Sequence, residues 1–349
     1  MTAKPFISII IPCRNEEKYI GQCLDSVISN DYPKDRLEVF VVDGASSDST
    51  KKIIEGYLKQ FPFIKLLENP KKIVPSAMNI GIAAAAGEII MKIDGHAQYQ
   101  KDYISKCVKY LGEYGADNVG GTIIALPRNK SLVGRGIARS LSTRFGAGDS
   151  LFRVGIEKPT WADTAFSGCY KKEVFKKIDL YDESIARSED VAVNSRLIKA
   201  GGKILLAPDI VSRYYARSDL KSFMAHNFDN GFWITYPLKF KRAVFSLRHI
   251  VPLVFVLSLS GILGLRLALQ ALNVSRLLAD IALYGLVAEL TLYLAANLYF
   301  SATDAIKEKD IRFLAIQPVI YLSLHIAYGL GSIWGIINLM IPIKNGGKN

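Results

Sequence analysis

Two short polar motifs in this sequence have the residue types that cation binding and proton transfer require. In the first, Asp94 and His96 are separated by one glycine and follow a predicted strand at residues 88–93. A carboxylate and an imidazole at this spacing can share a divalent cation that also binds a diphosphate. Oxygen ligands suit Mg²⁺ or Mn²⁺, and the imidazole favours Mn²⁺. The alternative for the same two residues is a solvated turn.

The second motif consists of Glu189 and Asp190, which open a helical pattern that continues to residue 200. Adjacent carboxylates point in different directions, so one of them can deprotonate an acceptor hydroxyl while the other has a structural role. The alternative is that both acids are present because negative charge stabilises a helix N-terminus.

Asp43 is a further candidate, since it lies between the apolar residues 39–42 and a turn rich in Gly and Ser. A carboxylate in this position can accept hydrogen bonds from a base or a ribose. It can equally cap the turn or the helix that follows. Both roles are open at this stage.

Alternating apolar and helical segments must position these motifs. Strands are predicted at residues 6–11, 38–42, 64–67, 88–93 and 119–124, and helices at residues 18–29, 49–60 and 76–86. This alternation predicts an α/β domain with a mainly parallel sheet and helices on both faces. Ligands of such sheets bind beyond the carboxyl ends of the strands, so residues 14–16, 43–44 and 94–96 are expected to converge. The sequence has neither GxGxxG after the first strand nor GxxxxGK[ST], which disfavours a dinucleotide oxidoreductase and a P-loop NTPase.

The formal net charge of +12 indicates anionic partners. No basic run is interleaved with aromatic residues, so nucleic acid is not expected, whereas phosphate-bearing substrates and lipid headgroups are. Residues 127–153 contain six Arg or Lys residues against a single acid and are rich in Gly and Ser. We predict a mobile basic loop there, in which Arg135, Arg139 and Arg144 contact an anionic acceptor. The alternative is a solvated loop.

Three apolar segments end the sequence, at residues 250–265, 278–300 and 313–343. Their length and composition predict about three transmembrane helices in a membrane domain at 249–349, after a catalytic domain at 1–216. The linker at 217–248 has an aromatic stretch that predicts a helix in the membrane interface, or one packed on the catalytic core. Basic clusters before the first segment and between the second and third indicate the cytosolic side. We therefore expect a multi-pass protein of the cytoplasmic membrane whose catalytic domain, with four reduced cysteines, is cytosolic.

Two ionisable residues, Glu289 and His325, lie near the middle of the second and third apolar segments. An ionisable group at mid-bilayer needs a partner, and consecutive spans run antiparallel. We therefore predict a hydrogen bond between them, either as a clamp between helices or as a polar contact for a lipid acceptor.

The motifs follow one another in a recognisable order along residues 7–202: Pro12-Cys13-Arg14-Asn15-Glu16, Val42-Asp43-Gly44, Asp94-Gly95-His96, Phe166-Ser167-Gly168-Cys169 and Glu189-Asp190. This order resembles family 2 glycosyltransferases of the GT-A fold. The stretch from Asp182 to Ile204 is most similar to membrane-anchored exopolysaccharide glucosyltransferases of the succinoglycan type.

The resemblance implies a role for each motif. Pro12, Asn15 and Glu16 would shape the nucleotide pocket, with Glu16 and Asp43 near the ribose and base. Asp94 and His96 would hold Mn²⁺ or Mg²⁺ and the diphosphate. Asp190 would be the general base, with Glu189 on the acceptor side.

The resemblance also implies an activity: inverting transfer of a sugar from a nucleotide-diphosphate sugar, here a UDP-sugar, to a membrane-associated glycan linked to polyprenyl diphosphate. His96 replaces the second acid of the usual DxD motif, which leaves the metal preference open. The QxxRW motif of processive synthases is absent, so a single addition is expected. The alternatives are a polyprenyl-phosphate sugar synthase, whose phosphate acceptor needs no base, and a non-catalytic lipid-handling protein of the membrane.

Overall fold

The computed structural model describes residues 4–240 and 247–341, and it divides into two compact units. Unit 1 comprises the chain up to Leu126 together with Ser150–Tyr215, and unit 2 comprises Pro127–Asp149 and the chain from Ala216 onward. The chain therefore leaves unit 1 in the middle and returns to it. The sequence-based boundaries at residues 216 and 248 did not include this excursion.

Unit 1 is built on one mixed β-sheet. Its strands are β1 (Ile7–Cys13), β2 (Leu37–Asp43), β3 (Ile64–Glu68), β4 (Ile89–Lys92), β5 (Ala97–Tyr99), β6 (Asn118–Pro127), β7 (Thr160–Trp161), β8 (Phe166–Lys171) and β9 (Ile204–Ala216). The order is β3-β2-β1-β4-β8-β6-β9-β5, with β7 paired to β9. Strands β1 to β4 pair in parallel, whereas β8 is antiparallel to β4 and β6, and β9 is antiparallel to β5 and β7. The predicted α/β architecture is confirmed, and antiparallel strands extend its parallel half.

The central strands are apolar almost throughout because helices cover both of their faces. Every residue of β2 is buried, and β1 is nearly so, as expected for parallel strands inside an α/β domain. The register pairs Cys13 with Asp43 and Asp43 with Glu68. The carboxyl ends of these strands are therefore level with one another.

The α-helices follow in chain order. They are α1 (Ile20–Ile28), α2 (Thr50–Leu58), α3 (Val74–Ala84), α4 (Tyr103–Glu113), α5 (Leu132–Ser140), α6 (Arg144–Ala147), α7 (Leu151–Val154), α8 (Val174–Ile178), α9 (Glu189–Lys199), α10 (Leu220–Thr235), α11 (Leu247–Ala271), α12 (Arg276–Glu308) and α13 (Phe313–Met340). Helix α1 buries Ile20, Cys23, Leu24 and Val27, which is the spacing of one helical face. Residues of α1 and α4 belong to one apolar core, and residues of α3, α8 and α9 belong to a second. The four cysteines are buried free thiols.

Unit 2 contains three helices that are long and apolar enough to cross a membrane: Arg248–Ala271, Arg276–Glu308 and Phe313–Met340. The predicted trio of apolar C-terminal helices is thus confirmed. The first is longer than the predicted segment 250–265 because the helix continues past Arg266.

Helix α10 packs along α13 with close backbone contact. A Cβ added at Gly331 would lie 1.9 Å from the carbonyl oxygen of Phe228. The hydroxyl of Thr235 donates to the carbonyl oxygen of Ser332 at 2.9 Å. Small residues allow helix backbones to approach in this way. The aromatic segment predicted to lie in the interface is therefore part of the helical unit.

The basic stretch at residues 127–153 is helical, so the prediction of a mobile loop is wrong. Helix α5 begins after Ser131, whose hydroxyl accepts a hydrogen bond from the backbone N–H of Gly134. Three acids of α12 and the residues after it neutralise two of the arginines. Arg135 contacts Glu308 at 3.1 Å and Asp310 at 2.8 Å, and Arg139 contacts the fully buried Asp304 at 2.7 Å.

The predicted hydrogen bond between Glu289 and His325 is also wrong. Glu289 accepts a hydrogen bond from the hydroxyl of Ser258 on α11. His325 contacts the hydroxyl of Tyr293 at 3.0 Å and the carbonyl oxygen of Phe145 at 2.9 Å. Tyr293 lies four residues after Glu289 on α12. The partner of His325 is therefore one helical turn away from the predicted one.

Candidate active site

The loops that follow β1 and β2 are joined by hydrogen bonds from Asn15 and Glu16. Asn15 has a left-handed φ of 56°, a conformation that Asn tolerates better than most residues. Its backbone N–H donates to the hydroxyl of Ser46 at 2.9 Å, and its side-chain oxygen accepts from the N–H of Ser47 at 2.9 Å. The N–H of Glu16 donates to the hydroxyl of Thr50 at 2.7 Å. The two loops thus form one wall at the end of the sheet.

Asp43 lies behind this wall with a buried carboxylate. Both of its oxygens contact Ser46, whose hydroxyl donates at 2.5 Å and whose N–H donates at 3.1 Å. Pro12 pairs with Val42, the residue before Asp43. The structure therefore brings together the four nucleotide-side residues that the sequence singled out: Pro12, Asn15, Glu16 and Asp43. In this arrangement the Asp43 carboxylate closes a turn, which is the alternative that its sequence position had left open.

The turn that carries Asp94 and His96 is held from two sides. The N–H of Asp94 donates to the hydroxyl of Tyr99 at 2.9 Å, and that hydroxyl lies 2.8 Å from the hydroxyl of Ser167 on β8. On the other side, the Nδ1 atom of His96 lies 3.3 Å from a carboxylate oxygen of Glu16. Loops after β1, β2 and β4 thus meet at one edge, as the sequence predicted.

The donor set of Asp94 and His96 fits one kind of cation site. Both side chains are accessible, with exposed fractions of 19% for Asp94 and 39% for His96. Within residues 4–240 and 247–341, no three His, Cys, Asp or Glu residues surround a common metal position. Mg²⁺ and Mn²⁺ can be held by one or two protein ligands when substrate phosphates and water complete the octahedron. The two residues fit a cation of that kind and not a site built from protein ligands alone.

A buried lysine, Lys92, links the Asp94 turn to the start of α9. Its ammonium lies 2.5 Å from Asp190, 2.9 Å from Glu189 and 3.8 Å from Asp94. Burial by itself lowers the pKa of Lys92, but Asp190, Glu189 and Asp94 outweigh burial and raise it well above its usual value. Lys92 is therefore a cation surrounded by three carboxylates.

The carboxyl of Asp190, which belongs to the same cluster, has a pKa well above that of an ordinary aspartate. Burial raises the pKa of its carboxyl to about 7; Glu189 and Asp94 act in the same direction, and Lys92 opposes them. One carboxylate oxygen, Oδ2, accepts from Lys92, whereas Oδ1 is buried and has no hydrogen-bond partner among the described residues. A carboxylate with a pKa near the operating pH and one unengaged oxygen can accept a proton.

Helix α9, which carries Glu189 and Asp190, is anchored by a buried polar network around Asn194. The side-chain oxygen of Asn194 accepts from Asn118 and from the hydroxyl of Tyr170, both at 3.0 Å. Its amide donates to Thr164 at 2.9 Å. Because buried amides are costly unless hydrogen-bonded, this network fixes the rotation of α9 about its axis.

The predicted acceptor-side residues belong to both units. Glu189 joins the cluster around Lys92 in unit 1, and Arg135, Arg139 and Arg144 are part of unit 2. Arg135 and Arg139 are occupied by the acids described above, and Arg144 is exposed as the first residue of α6.

Sequence reasoning assigned no role to three residues that shape the site: Lys92, Tyr99 and Ser167, the last of which it noted only as part of a motif. Lys92 did leave a signal, because a lysine inside an apolar strand is rarely buried without a charged partner. Tyr99 and Ser167 are 68 residues apart, and no local pattern connects them. Ser167 also has a left-handed φ of 49°, which is unusual for a residue other than Gly.

Comparison with known proteins agrees with this geometry. Residues 8–178 match the family described as Glycosyl transferase family 2. The chain is 31% identical over 267 residues to a dolichyl N-acetyl-alpha-D-glucosaminyl phosphate 3-beta-D-2,3-diacetamido-2,3-dideoxy-beta-D-glucuronosyltransferase of Methanococcus voltae, covering 74% of this chain and 81% of the relative. It is 29% identical over 248 residues to the succinoglycan biosynthesis protein ExoA of Rhizobium meliloti, covering 70% and 74% respectively.

A solved structure shows the same fold. The mannosyltransferase PcManGT of Pyrobaculum calidifontis, in complex with GDP-Man and Mn²⁺, aligns with a TM-score of 0.54 at 20% identity, covering 95% of this chain and 88% of that one. The fold is therefore GT-A, a fold of nucleotide-sugar-dependent transferases, with acidic residues at the strand ends. The chain belongs to glycosyltransferase family 2.

Proposed function

We propose that this protein is an inverting glycosyltransferase that moves one sugar from a UDP-sugar to a membrane-associated glycan linked to polyprenyl diphosphate. The observation that carries the proposal is the state of Asp190. It is a largely buried carboxyl with a pKa of about 7 and one unengaged oxygen, connected through Lys92 to the turn that bears Asp94. A hydroxyl acceptor needs a base of this kind, whereas a phosphate acceptor does not.

In the proposed reaction, the carboxylate of Asp190 takes the proton of the acceptor hydroxyl as the hydroxyl oxygen attacks the anomeric carbon. The nucleoside diphosphate leaves from the opposite face, so a single displacement inverts the anomeric centre. Asp94 and His96 would hold Mn²⁺ or Mg²⁺, which when bound supplies charge stabilisation for the departing diphosphate.

The wall formed by Asn15, Glu16 and Asp43 would receive the nucleoside. Asp43 is buried and level with the end of β1, and Asn15 fixes the first loop on the second. A ribose hydroxyl that displaced Ser46 from Asp43 would gain a carboxylate acceptor. Charge-assisted hydrogen bonds of this kind are about twice as strong as neutral ones.

Two findings support a lipid-linked acceptor at a membrane. Three helices of unit 2 are long and apolar enough to span a bilayer. The name of the Methanococcus relative specifies a dolichyl-linked sugar phosphate, and that of ExoA specifies succinoglycan biosynthesis. Lys307, Lys309 and Arg312 cluster between the second and third of these helices. By the positive-inside rule the cluster would be cytosolic, with catalysis assigned to unit 1 on that side.

The test uses full-length protein in lipid nanodiscs with Mn²⁺, a panel of radiolabelled nucleotide sugars and a native lipid extract. We expect label from one UDP-sugar to enter the lipid fraction, with NMR of the product showing an inverted anomeric centre. Asp190→Asn should abolish most of this transfer. Asp209→Asn is the matched control, because Asp209 is also an acid paired to a lysine, Lys106 at 3.2 Å, but on an exposed surface.

Other results would point to other functions. Transfer to a lipid monophosphate that survives Asp190→Asn would identify a polyprenyl-phosphate sugar synthase. A folded protein that binds UDP but transfers no sugar from any donor would support a non-catalytic role.

A further inference from the structure

Lys92 occupies a position that normally excludes charge. It is the last residue of β4, in the run Ile89–Lys92 whose residues are all buried, and only 3% of its side chain is exposed. A buried ammonium is costly unless it is paired and hydrogen-bonded. The side chain is too deeply buried to serve as a surface contact for either substrate, so it acts on the residues around it.

The partners of Lys92 come from both sides of the proposed reaction. Hydrogen bonds join its ammonium to Glu189 at 2.9 Å and to Asp190 at 2.5 Å, and Asp94 lies at 3.8 Å. Asp94 belongs to the donor side, and Glu189 and Asp190 form the first turn of α9. The ammonium of Lys92 therefore lies between Asp94, on the proposed diphosphate-binding turn, and Asp190, the proposed base.

The first turn of α9 requires such a contact. Ser188, the residue before it, has a left-handed φ of 64°, a conformation that is strained for a side chain other than Gly. Two adjacent acids then follow within reach of a third, and like charges at this distance repel. Without a cation between them, Glu189 and Asp190 would move apart and the base would lose its orientation.

The contact with Lys92 also orients the carboxylate of Asp190. Oδ2 accepts a hydrogen bond from the ammonium, whereas Oδ1 is buried and has no hydrogen-bond partner in the described part of the chain. Among the described residues, the lysine is therefore the hydrogen-bond partner that fixes this carboxylate.

We propose that Lys92 is a positioning residue for the transfer reaction: it fixes the orientation of the Asp190 carboxylate and sets its distance from the donor-binding Asp94. The proposal rests on the function proposed above, in which Asp190 is the base. It differs from an ordinary buried ion pair, which would stabilise the fold without acting specifically through Asp190.

The test is a double-mutant cycle in kcat with Lys92→Met and Asp190→Asn, using full-length protein in nanodiscs and the donor and acceptor found by the panel. We expect Lys92→Met to lower kcat by about 10²-fold, the cost typical of a small misplacement of a reacting group. The Kd for UDP with Mn²⁺, measured by calorimetry, should change less than threefold. In the Asp190→Asn background, Lys92→Met should cause little further loss, because the group it positions is already absent.

Controls separate positioning from folding. Lys106→Met removes another lysine that pairs with two acids of unit 1, Asp102 and Asp209, and should leave kcat unchanged. If Lys92→Met does not fold, the same cycle is run with Lys92→Arg. This variant keeps the positive charge but changes the length and shape of the side chain. It should lower kcat in the wild-type background and have little effect in the Asp190→Asn background.

The outcomes are distinct. An equal loss of kcat in both backgrounds, or no loss in the wild-type background, overturns the role of Lys92 while an inactive Asp190→Asn leaves the proposed function standing. Wild-type turnover in Asp190→Asn overturns both, since there is then no base for Lys92 to position.

Discussion

The raised pKa of Asp190 predicts how transfer should depend on pH. The active form of a general base is ionised, and burial raises the pKa of this carboxyl to about 7. About nine-tenths of Asp190 is then ionised at pH 8 and about one-tenth at pH 6, so kcat should fall about tenfold between these values. A carboxyl with the ordinary Asp pKa of about 3.9 would stay ionised throughout, and kcat would not change.

The assay measures kcat from pH 5.5 to 8.5 at saturating donor, acceptor and Mn²⁺. His96 needs separate treatment, because an imidazole must be neutral to coordinate a cation and metal affinity therefore falls at acid pH. Saturating Mn²⁺ suppresses that contribution, and a His96→Ala variant should still show the fall of kcat near pH 7. In Asp190→Asn the residual kcat should no longer fall as the pH is lowered through 7. The same fall of kcat in Asp190→Asn, or a wild-type kcat that does not change with pH, would refute the assignment.

Four further predictions follow from the same structure. Asp190→Asn should lower kcat by about 10²–10⁴-fold while UDP binding is kept; near-normal turnover in a folded variant would contradict this. Excess EDTA should abolish transfer, and Mn²⁺ or Mg²⁺ should restore it, because a departing diphosphate needs its charge stabilised; full activity in EDTA would exclude the cation. Arg139→Met should destabilise the protein by about 3–5 kcal/mol in thermal unfolding, because it leaves the buried Asp304 without its cation. Arg144→Glu, at an exposed position, should spare stability and raise the acceptor KM; an unchanged KM would remove Arg144 from the acceptor site.

Much of the fold could be predicted because its signals are local. Strands β1, β2 and β4 consist mostly of apolar residues, and the polar residues that follow each strand lie together at one edge, as the alternation of strands and helices implies. Helix α9 was visible as a pattern that opens with two acids. The antiparallel strands β5, β7, β8 and β9 were missed; β5 and β7 span only three and two residues, and β8 is interrupted by Gly168.

The errors came from contacts between distant segments. Composition made residues 127–153 look like an unpaired basic loop, but the acid that contacts Arg135 lies 175 residues further along the chain. A distant contact also explains the error at Glu289. The sequence placed the partner of His325 on α12 within one helical turn of its position in the structure, which is Tyr293. The partner of Glu289, however, is a serine on α11. Burial of Asp190 and the charge around it likewise depend on Lys92, which is 98 residues away.

The excursion of the chain through unit 2 has a consequence for the order of biosynthesis. The ribosome makes Arg139 and Phe145 well before the segments that receive them: Arg139 pairs with Asp304, and the ring of Phe145 stacks on Phe300 and contacts Tyr321. Until the last two helices emerge, a cation and an aromatic ring lack their native partners. In a chain truncated before Ala216 to obtain a soluble enzyme, Arg139 and Phe145 would never gain these partners. The packing of residues 127–149 within unit 2 is therefore completed only after the last two helices have been made.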